Sequence, residues 1–124
     1  MKSRSPISEK ADARTSDELY EMANLYPRTT GLPMTVWVGP RGNARHEVRL
    51  KVNLTHGNQM NIDNTAVVGV RPTPHLVTGR LSSDDARLVF EWIIINYATI
   101  IDYWDGNIDT AELIQNLKPL TPRP

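Results

Sequence analysis

Three histidines, His46, His56 and His75, are the side chains of this 124-residue sequence best suited to general-base or metal chemistry near neutral pH. None lies in an HExxH motif or in a pair at helical ligand spacing, so the sequence predicts no metal site. His46 shares the parity of Val48 in an alternating segment, which favours a partly buried histidine. It is still the candidate catalytic residue if the protein is a small hydrolase or nuclease, in which hairpin arginines would assist it.

Motifs for cofactors and bound ions are missing from the sequence. There is no cysteine, which excludes disulfides, thiolate zinc sites, iron–sulfur clusters and thiol catalysis. Segment 39–45 lacks the GxxxxGK pattern of a phosphate-binding loop and precedes a strand pattern. Segment 105–112 partly matches a calcium loop, but Ile101 and Tyr103 would occupy its first and third ligand positions. We therefore expect no cofactor and favour a protein that is not an enzyme.

Four basic residues are candidates for an anion-binding face: Arg41, Arg45, Arg49 and Lys51. The odd-numbered positions from 45 to 51 would share one face of a strand, although Glu47 interrupts them. This basic strand face is the candidate site if the protein is a nucleic-acid-binding regulator. No aromatic pair interleaves the bases, as sites that stack single strands usually require.

Charge varies along the chain although the net charge is zero. Residues 1–27 have a net charge of −1, residues 28–80 of +5 and residues 81–124 of −4. Such asymmetry marks either a surface for an anionic partner or two faces that complement each other in the fold or in a dimer. Because a neutral domain gains little from phosphate neutralisation, we favour the complementary faces.

The middle of the chain has the period-two alternation of β-strands. Apolar and polar residues alternate through 34–38 and again through 48–54, on either side of a Gly-containing turn, which predicts a β-hairpin. The more continuous apolar segment 66–70 predicts a buried strand, and 75–81 predicts a last short one. We expect roughly three to five antiparallel strands.

Helical periodicity then replaces the alternation. Apolar residues recur at +3 and +4 spacing through 86–104, which predicts one long helix with its N-cap at Ser82 and its end at Gly106. Asp109 and Glu112 form a second capping pattern, which predicts a short closing helix.

These elements predict an α+β fold, in which a small antiparallel β-sheet is followed by a long C-terminal helix and a short closing helix. We expect a flexible N-terminal arm at 1–15, a single domain at 16–120 that opens with a helix over Ser16–Ala23, and a tail at 121–124. No apolar segment follows the first basic residues, and no apolar run could span a bilayer, so we expect a cytoplasmic protein without membrane association.

Trp92 and Trp104 lie on the predicted long helix and are candidate interface residues. A small sheet leaves limited room for both. We therefore expect one of them to pack across a homodimer interface, where tryptophan is enriched.

The C-terminal half contains three further patterns: Gly79 and Leu81 at the end of the last predicted strand, Glu91-Trp92-Ile93 followed by Trp104, and a closing Pro119-Leu120. In this combination it resembles a family of small bacterial proteins of unknown function, which have been proposed as toxin–antitoxin components. Members are often encoded beside a second small protein. The resemblance implies a common fold and a small protein partner.

The sequence departs from that family before its second strand. Family members usually carry a His-rich PPHFH segment there, whereas this chain has residues 41–46, with His46 as the remnant. The resemblance therefore implies no activity that depends on the His cluster.

The patterns together favour a non-enzymatic protein-interaction module, which the resemblance implies is one component of a toxin–antitoxin-like pair. It would bind another protein through the Trp-bearing helix or the basic strand face. A hydrolase or nuclease that uses His46 and a nucleic-acid-binding regulator are the alternatives.

Overall fold

The structure, a computed structural model, describes residues 23–42 and 44–121. The predicted arm, most of the predicted helix Ser16–Ala23 and most of the predicted tail lie outside these residues. Ala23 itself belongs to a strand, so the helix prediction is wrong at that position.

The first layer of the fold is a five-stranded antiparallel sheet in which each strand pairs with its neighbours in the chain. In chain order the strands are β1 (Ala23–Leu25), β2 (Val36–Val38), β3 (Arg49–Asn53), β4 (Thr65–Gly69) and β5 (His75–Thr78). The α+β prediction and the β2–β3 hairpin are confirmed. Strand β1 is an addition, since three residues are too few to show an alternating pattern.

Alternation along the strands gives the sheet two different faces. Val36, Val38, Leu50 and Val52 are completely buried in the core that the sheet shares with the helices. The opposite face, which we call the outer sheet face, carries the intervening residues. Its central members are Trp37, Arg49, Lys51, Val67, Gly69 and His75.

A single helical turn, α1 (Pro27–Thr30), connects β1 to β2. Three helices follow the sheet: α2 (Ser83–Ile95), α3 (Tyr97–Trp104) and α4 (Thr110–Asn116). The predicted N-caps are confirmed, because Ser82 Oγ accepts a hydrogen bond from Asp85 N–H at 3.0 Å. Asp109 and Glu112 form a reciprocal capping box. No helix in the described part of the chain is long and apolar enough to cross a membrane.

The predicted long helix is interrupted at Asn96, where α2 ends and α3 begins. Asn96 has φ −115° and ψ 15°, which lies outside the helical region. Its side chain is 2% exposed and hydrogen-bonds across the molecule. Nδ2 donates to the carbonyls of Trp92 and Lys118, both at 3.0 Å, and Oδ1 accepts from Lys118 N–H at 2.7 Å. The predicted helix is therefore interrupted at the residue whose side-chain amide binds the C-terminal segment.

The C-terminal segment continues from Lys118 to the turn after α1. Leu120 N–H donates to Thr30 O at 2.7 Å. Gly31 lies beside it with φ 78°, and a Cβ on Gly31 would overlap the Leu120 carbonyl. This glycine is required both by its backbone conformation and by the close approach of the C-terminal segment.

Replacement of the Asn96 amide should therefore destabilise the whole domain. Asn96→Ala removes three side-chain hydrogen bonds and leaves the Lys118 N–H and carbonyl unpaired. We expect the free energy of unfolding in urea to fall by about 2–3 kcal/mol. Asn58→Ala, at an exposed loop position, is the control. A loss for Asn96→Ala no larger than that of the control would show that the C-terminal segment is held by other contacts.

Candidate functional site

The predicted catalytic residue His46 lies in the β2–β3 loop, which packs against the end of α3. Arg41 N–H donates to Trp104 O at 2.9 Å. The His46 ring lies 5.6 Å from the Trp104 ring, with an interplanar angle of 36°. His46 Nδ1 is 2.8 Å from Glu47 O. Because a carbonyl only accepts, Nδ1 carries the proton and Nε2 is left as the basic nitrogen.

The Glu47 carboxylate is committed to other contacts. Arg71 Nε donates to Glu47 Oε1 at 2.8 Å, and Val48 N–H donates to the same oxygen at 3.2 Å. The Arg71 hydrogen bond is the main reason why the pKa of Glu47 is lowered from its usual value, with the charge of Arg41 adding to the effect. The same bond raises the pKa of Arg71, to which Asp105 contributes.

Among the described residues, the neighbours of the His46 ring are a backbone carbonyl and Trp104. The ring of His46 is oriented by a backbone carbonyl and by Trp104, while the neighbouring carboxylate is bound to Arg71. The described residues contain no group of three or more His, Cys, Asp or Glu side chains that could hold a metal ion. Packing against Trp104 is sufficient to explain the partly buried position of His46.

A histidine–carboxylate pair is present elsewhere, between residues far apart in the sequence. His56 Nε2 lies 3.0 and 3.1 Å from the two carboxylate oxygens of Asp85, in the first turn of α2. The Asp85 side chain is only 14% exposed, whereas His56 is 57% exposed. The pair joins the β3–β4 loop to α2, a contact that no local spacing in the sequence could predict.

Of the four predicted basic residues, the structure places only two on a strand. Arg49 and Lys51 lie on the outer sheet face. Arg41 and Arg45 lie in the exposed loop before β3, so the predicted strand face from 45 to 51 is wrong at positions 45 and 47. The basic strand face is shorter than predicted because β3 begins at Arg49, later than the alternation in the sequence predicts.

The register adds three residues to this face that the sequence analysis did not assign to it: Trp37, Gly69 and His75. Trp37 pairs directly with Lys51, and Gly69 lies between Arg49 and His75. The His75 ring packs over the bare Gly69, where a Cβ would overlap it. Trp37 alternates with Val36 and Val38 in the sequence, and this alternation was the signal that places it on the opposite face of the strand. The face therefore combines an indole, two cations and an imidazole.

Two hydrogen-bond donors on this face have no acceptor. Trp37 is 8% exposed, and its Nε1 is buried without a partner, as is Arg49 Nε. A buried donor without an acceptor costs about 1–3 kcal/mol. None of the five strands contains an Asp or Glu that could supply one.

The predicted interface tryptophans belong to the core of the domain. Trp92 is completely buried and Trp104 is 5% exposed, because the helix face that carries them packs on the sheet. The exposed apolar side chains at the α2–α3 junction are different ones, Ile94, Ile95 and Tyr97. Burial of both tryptophans leaves neither on the surface of the monomer.

Strand β5 is the most open edge of the sheet. All four of its residues are exposed, and the apolar Leu76 and Val77 are each 45% exposed. At the opposite edge, Ala23 and Leu25 of β1 are buried. The sequence predicted β5 as a strand but gave no sign that it lies at an edge, because edge position depends on pairing.

Comparisons of the chain with protein-family models, with curated proteins and with solved structures give no match. The family resemblance of the C-terminal half therefore stays a prediction. The geometry of the surfaces described above carries the functional argument.

If His46 is a packing residue, its replacement by another ring should preserve the fold. We expect His46→Ala to lower the free energy of unfolding by about 0.5–1.5 kcal/mol, and His46→Phe to recover most of that loss by packing on Trp104. Both are measured by urea unfolding. Full stability in His46→Ala would contradict the packing role.

The ion pair of Glu47 can be tested by titration. An NMR titration should find a lowered pKa for the Glu47 carboxyl, and this pKa should rise in Arg71→Gln because the hydrogen bond that lowers it most is removed. Arg45→Gln, in the same loop, should leave it unchanged. A lowered folded-state pKa stabilises the fold above the unfolded pKa, and this contribution disappears as the pH falls through the folded value. The same Glu47 pKa in both variants would exclude the Arg71 contact.

Proposed function

We propose that this domain is a non-enzymatic protein-interaction module that takes an extended segment of a second protein onto β5. The observation that carries the proposal is that β5 is a fully exposed edge strand with two large apolar side chains. An edge strand leaves one row of backbone N–H and C=O groups unpaired, and an added strand satisfies them.

The composition of β5 limits what can bind there. Its sequence, His75 to Thr78, contains no acidic residue and only one titratable side chain. Pro74 precedes it, and Gly79 follows it with φ 85°. The pairing surface is therefore about four residues long, and it suits an uncharged extended segment with apolar side chains that cover Leu76 and Val77.

The apolar α2–α3 junction supports the same function from the helical layer. Ile94 is 62% exposed, and Ile95 and Tyr97 are 43% and 39% exposed. Three large apolar side chains within four residues are more than scattered surface residues would provide. The Trp-bearing helix would therefore still take part in binding, but through Ile94 and its neighbours and not through the tryptophans.

The resemblance of the C-terminal half names the kind of partner. It implies a second small protein, with which this chain would form a toxin–antitoxin-like pair in the cytoplasm. A second copy of the chain is the competing occupant of β5, since identical uncharged strands can pair about a two-fold axis.

Site-specific photo-crosslinking in cells of the source organism tests the proposal. A photo-crosslinking amino acid is placed at Val77 or at Ile114 on α4, which have nearly equal exposure of 45% and 44%. We expect one protein to be captured at Val77 and not at Ile114. Equal capture at both positions, or capture at Ile114 alone, would contradict the proposal.

The captured partner is then purified and its affinity is measured by calorimetry. Val77→Lys should weaken binding at least about tenfold, because a charge on an edge strand opposes pairing, whereas Ile114→Lys should leave it unchanged. Hydrogen exchange at the β5 amides should slow in the complex. Capture of this same chain would identify a homodimer and would overturn the second-protein assignment.

A further inference from the structure

We propose that the outer sheet face is a second binding site, which holds the carboxylates of an acidic peptide segment through Arg49, Lys51 and the Trp37 indole. This inference rests on the proposed function only in taking the ligand to be part of a protein. The site lies on the sheet face, whereas the proposed strand addition takes place at the β5 edge.

The three side chains of the proposed site are all hydrogen-bond donors. Trp37 pairs directly with Lys51, and Arg49 is its diagonal neighbour two residues earlier in β3. Diagonal neighbours on one face are about 7–8 Å apart at Cα, within reach of long and aromatic side chains. An indole N–H, a guanidinium and an ammonium only donate, so their common ligand is an oxyanion.

Two of these donors are unsatisfied among the described residues. Trp37 Nε1 and Arg49 Nε are both buried without an acceptor, and Trp37 as a whole is 8% exposed. Among the described residues, the ion pairs join Glu47 to Arg71, Glu91 to Arg87 and Asp85 to His56. None of them includes Arg49 or Lys51, so this face carries positive charge without a counter-ion among the described residues.

The number of cations decides between a peptide and a nucleic acid. Nucleic-acid sites commonly neutralise about 6–10 phosphates. The strands of the outer face supply two cations, Arg49 and Lys51, with His75 beside Arg49. Two cations at alternate positions of one strand are about 7 Å apart, which matches carboxylates at alternate positions of an extended peptide.

Two-dimensional NMR of the purified protein tests the proposal through the donors themselves. The probe is a capped peptide, Gly-Glu-Thr-Glu-Gly, and its control has glutamine at both glutamate positions. We expect millimolar glutamate peptide to shift the Trp37 indole and Arg49 Nε–H resonances together. Trp92 is the internal control, because its Nε1 is also buried and unpaired but lies in the core.

Matched arginine variants complete the test. Arg49→Gln should weaken the peptide at least about tenfold, whereas Arg45→Gln, in the exposed loop, should not change its affinity. No shift with the glutamate peptide, or equal shifts with the glutamine peptide, would overturn the inference. An oligothymidylate that shifts the same resonances and binds more tightly than the glutamate peptide would overturn the inference in favour of nucleic acid. Capture at Val77 together with no shift by the glutamate peptide would leave strand addition intact while this site failed.

Discussion

The rest of the fold depends on one buried amide, that of Asn96. Its side chain pairs with both the N–H and the carbonyl of Lys118, as a neighbouring strand would, and it also caps the carbonyl of Trp92 at the end of α2. The C-terminal segment held in this way reaches Thr30 through Leu120. One side chain thus breaks a helix, sets the start of α3 and ties the end of the described chain to the turn beside β1. An apolar residue at 96 would satisfy the helical periodicity but would leave both backbone groups of Lys118 unpaired.

Because the helices and the C-terminal segment pack on the same side of the sheet, its two faces differ in what covers them. The helices and the C-terminal segment cover the core face of the sheet, on which Val36, Val38, Leu50 and Val52 are completely buried, while Leu76 at the β5 edge stays 45% exposed. On the outer sheet face Trp37 is 8% exposed, and Arg49 and Lys51 are half-buried. Burial of Trp92 and Trp104 follows from the same asymmetry, because the helix stripe that carries them is the one that packs on the sheet. The large apolar side chains that stay exposed on the helical side are others, such as Ile94.

Periodicity was enough to predict the class of fold, the hairpin and the helix caps, since each depends on residues close together in the sequence. The features that it missed depend on pairing at a distance. Asn96 fits a helical stripe until its partner Lys118 is known, and His56 has no acid nearby until the β3–β4 loop meets Asp85. The same limit applies to the candidate site. Arg49 and Lys51 were predicted from parity, but their association with Trp37 and the uncovered β5 edge follows only from the strand order.

The uneven charge of the sequence acquires a physical meaning in this arrangement. The five strands contain Arg49 and Lys51 and no acid, whereas α2 contains Asp84, Asp85 and Glu91. The basic and acidic segments meet at two places, since Asp85 pairs with His56 and the charge of Asp105 contributes to the raised pKa of Arg71. The two strand cations and the acids of α2, by contrast, lie in opposite layers with the apolar core between them, and the described ion pairs leave the strand cations unpaired. The carboxylates of α2 are too far from the strand cations to accept their hydrogen bonds, because a hydrogen bond requires contact between donor and acceptor. A neutral chain can therefore present a locally cationic sheet face, and its net charge does not argue against an acidic ligand.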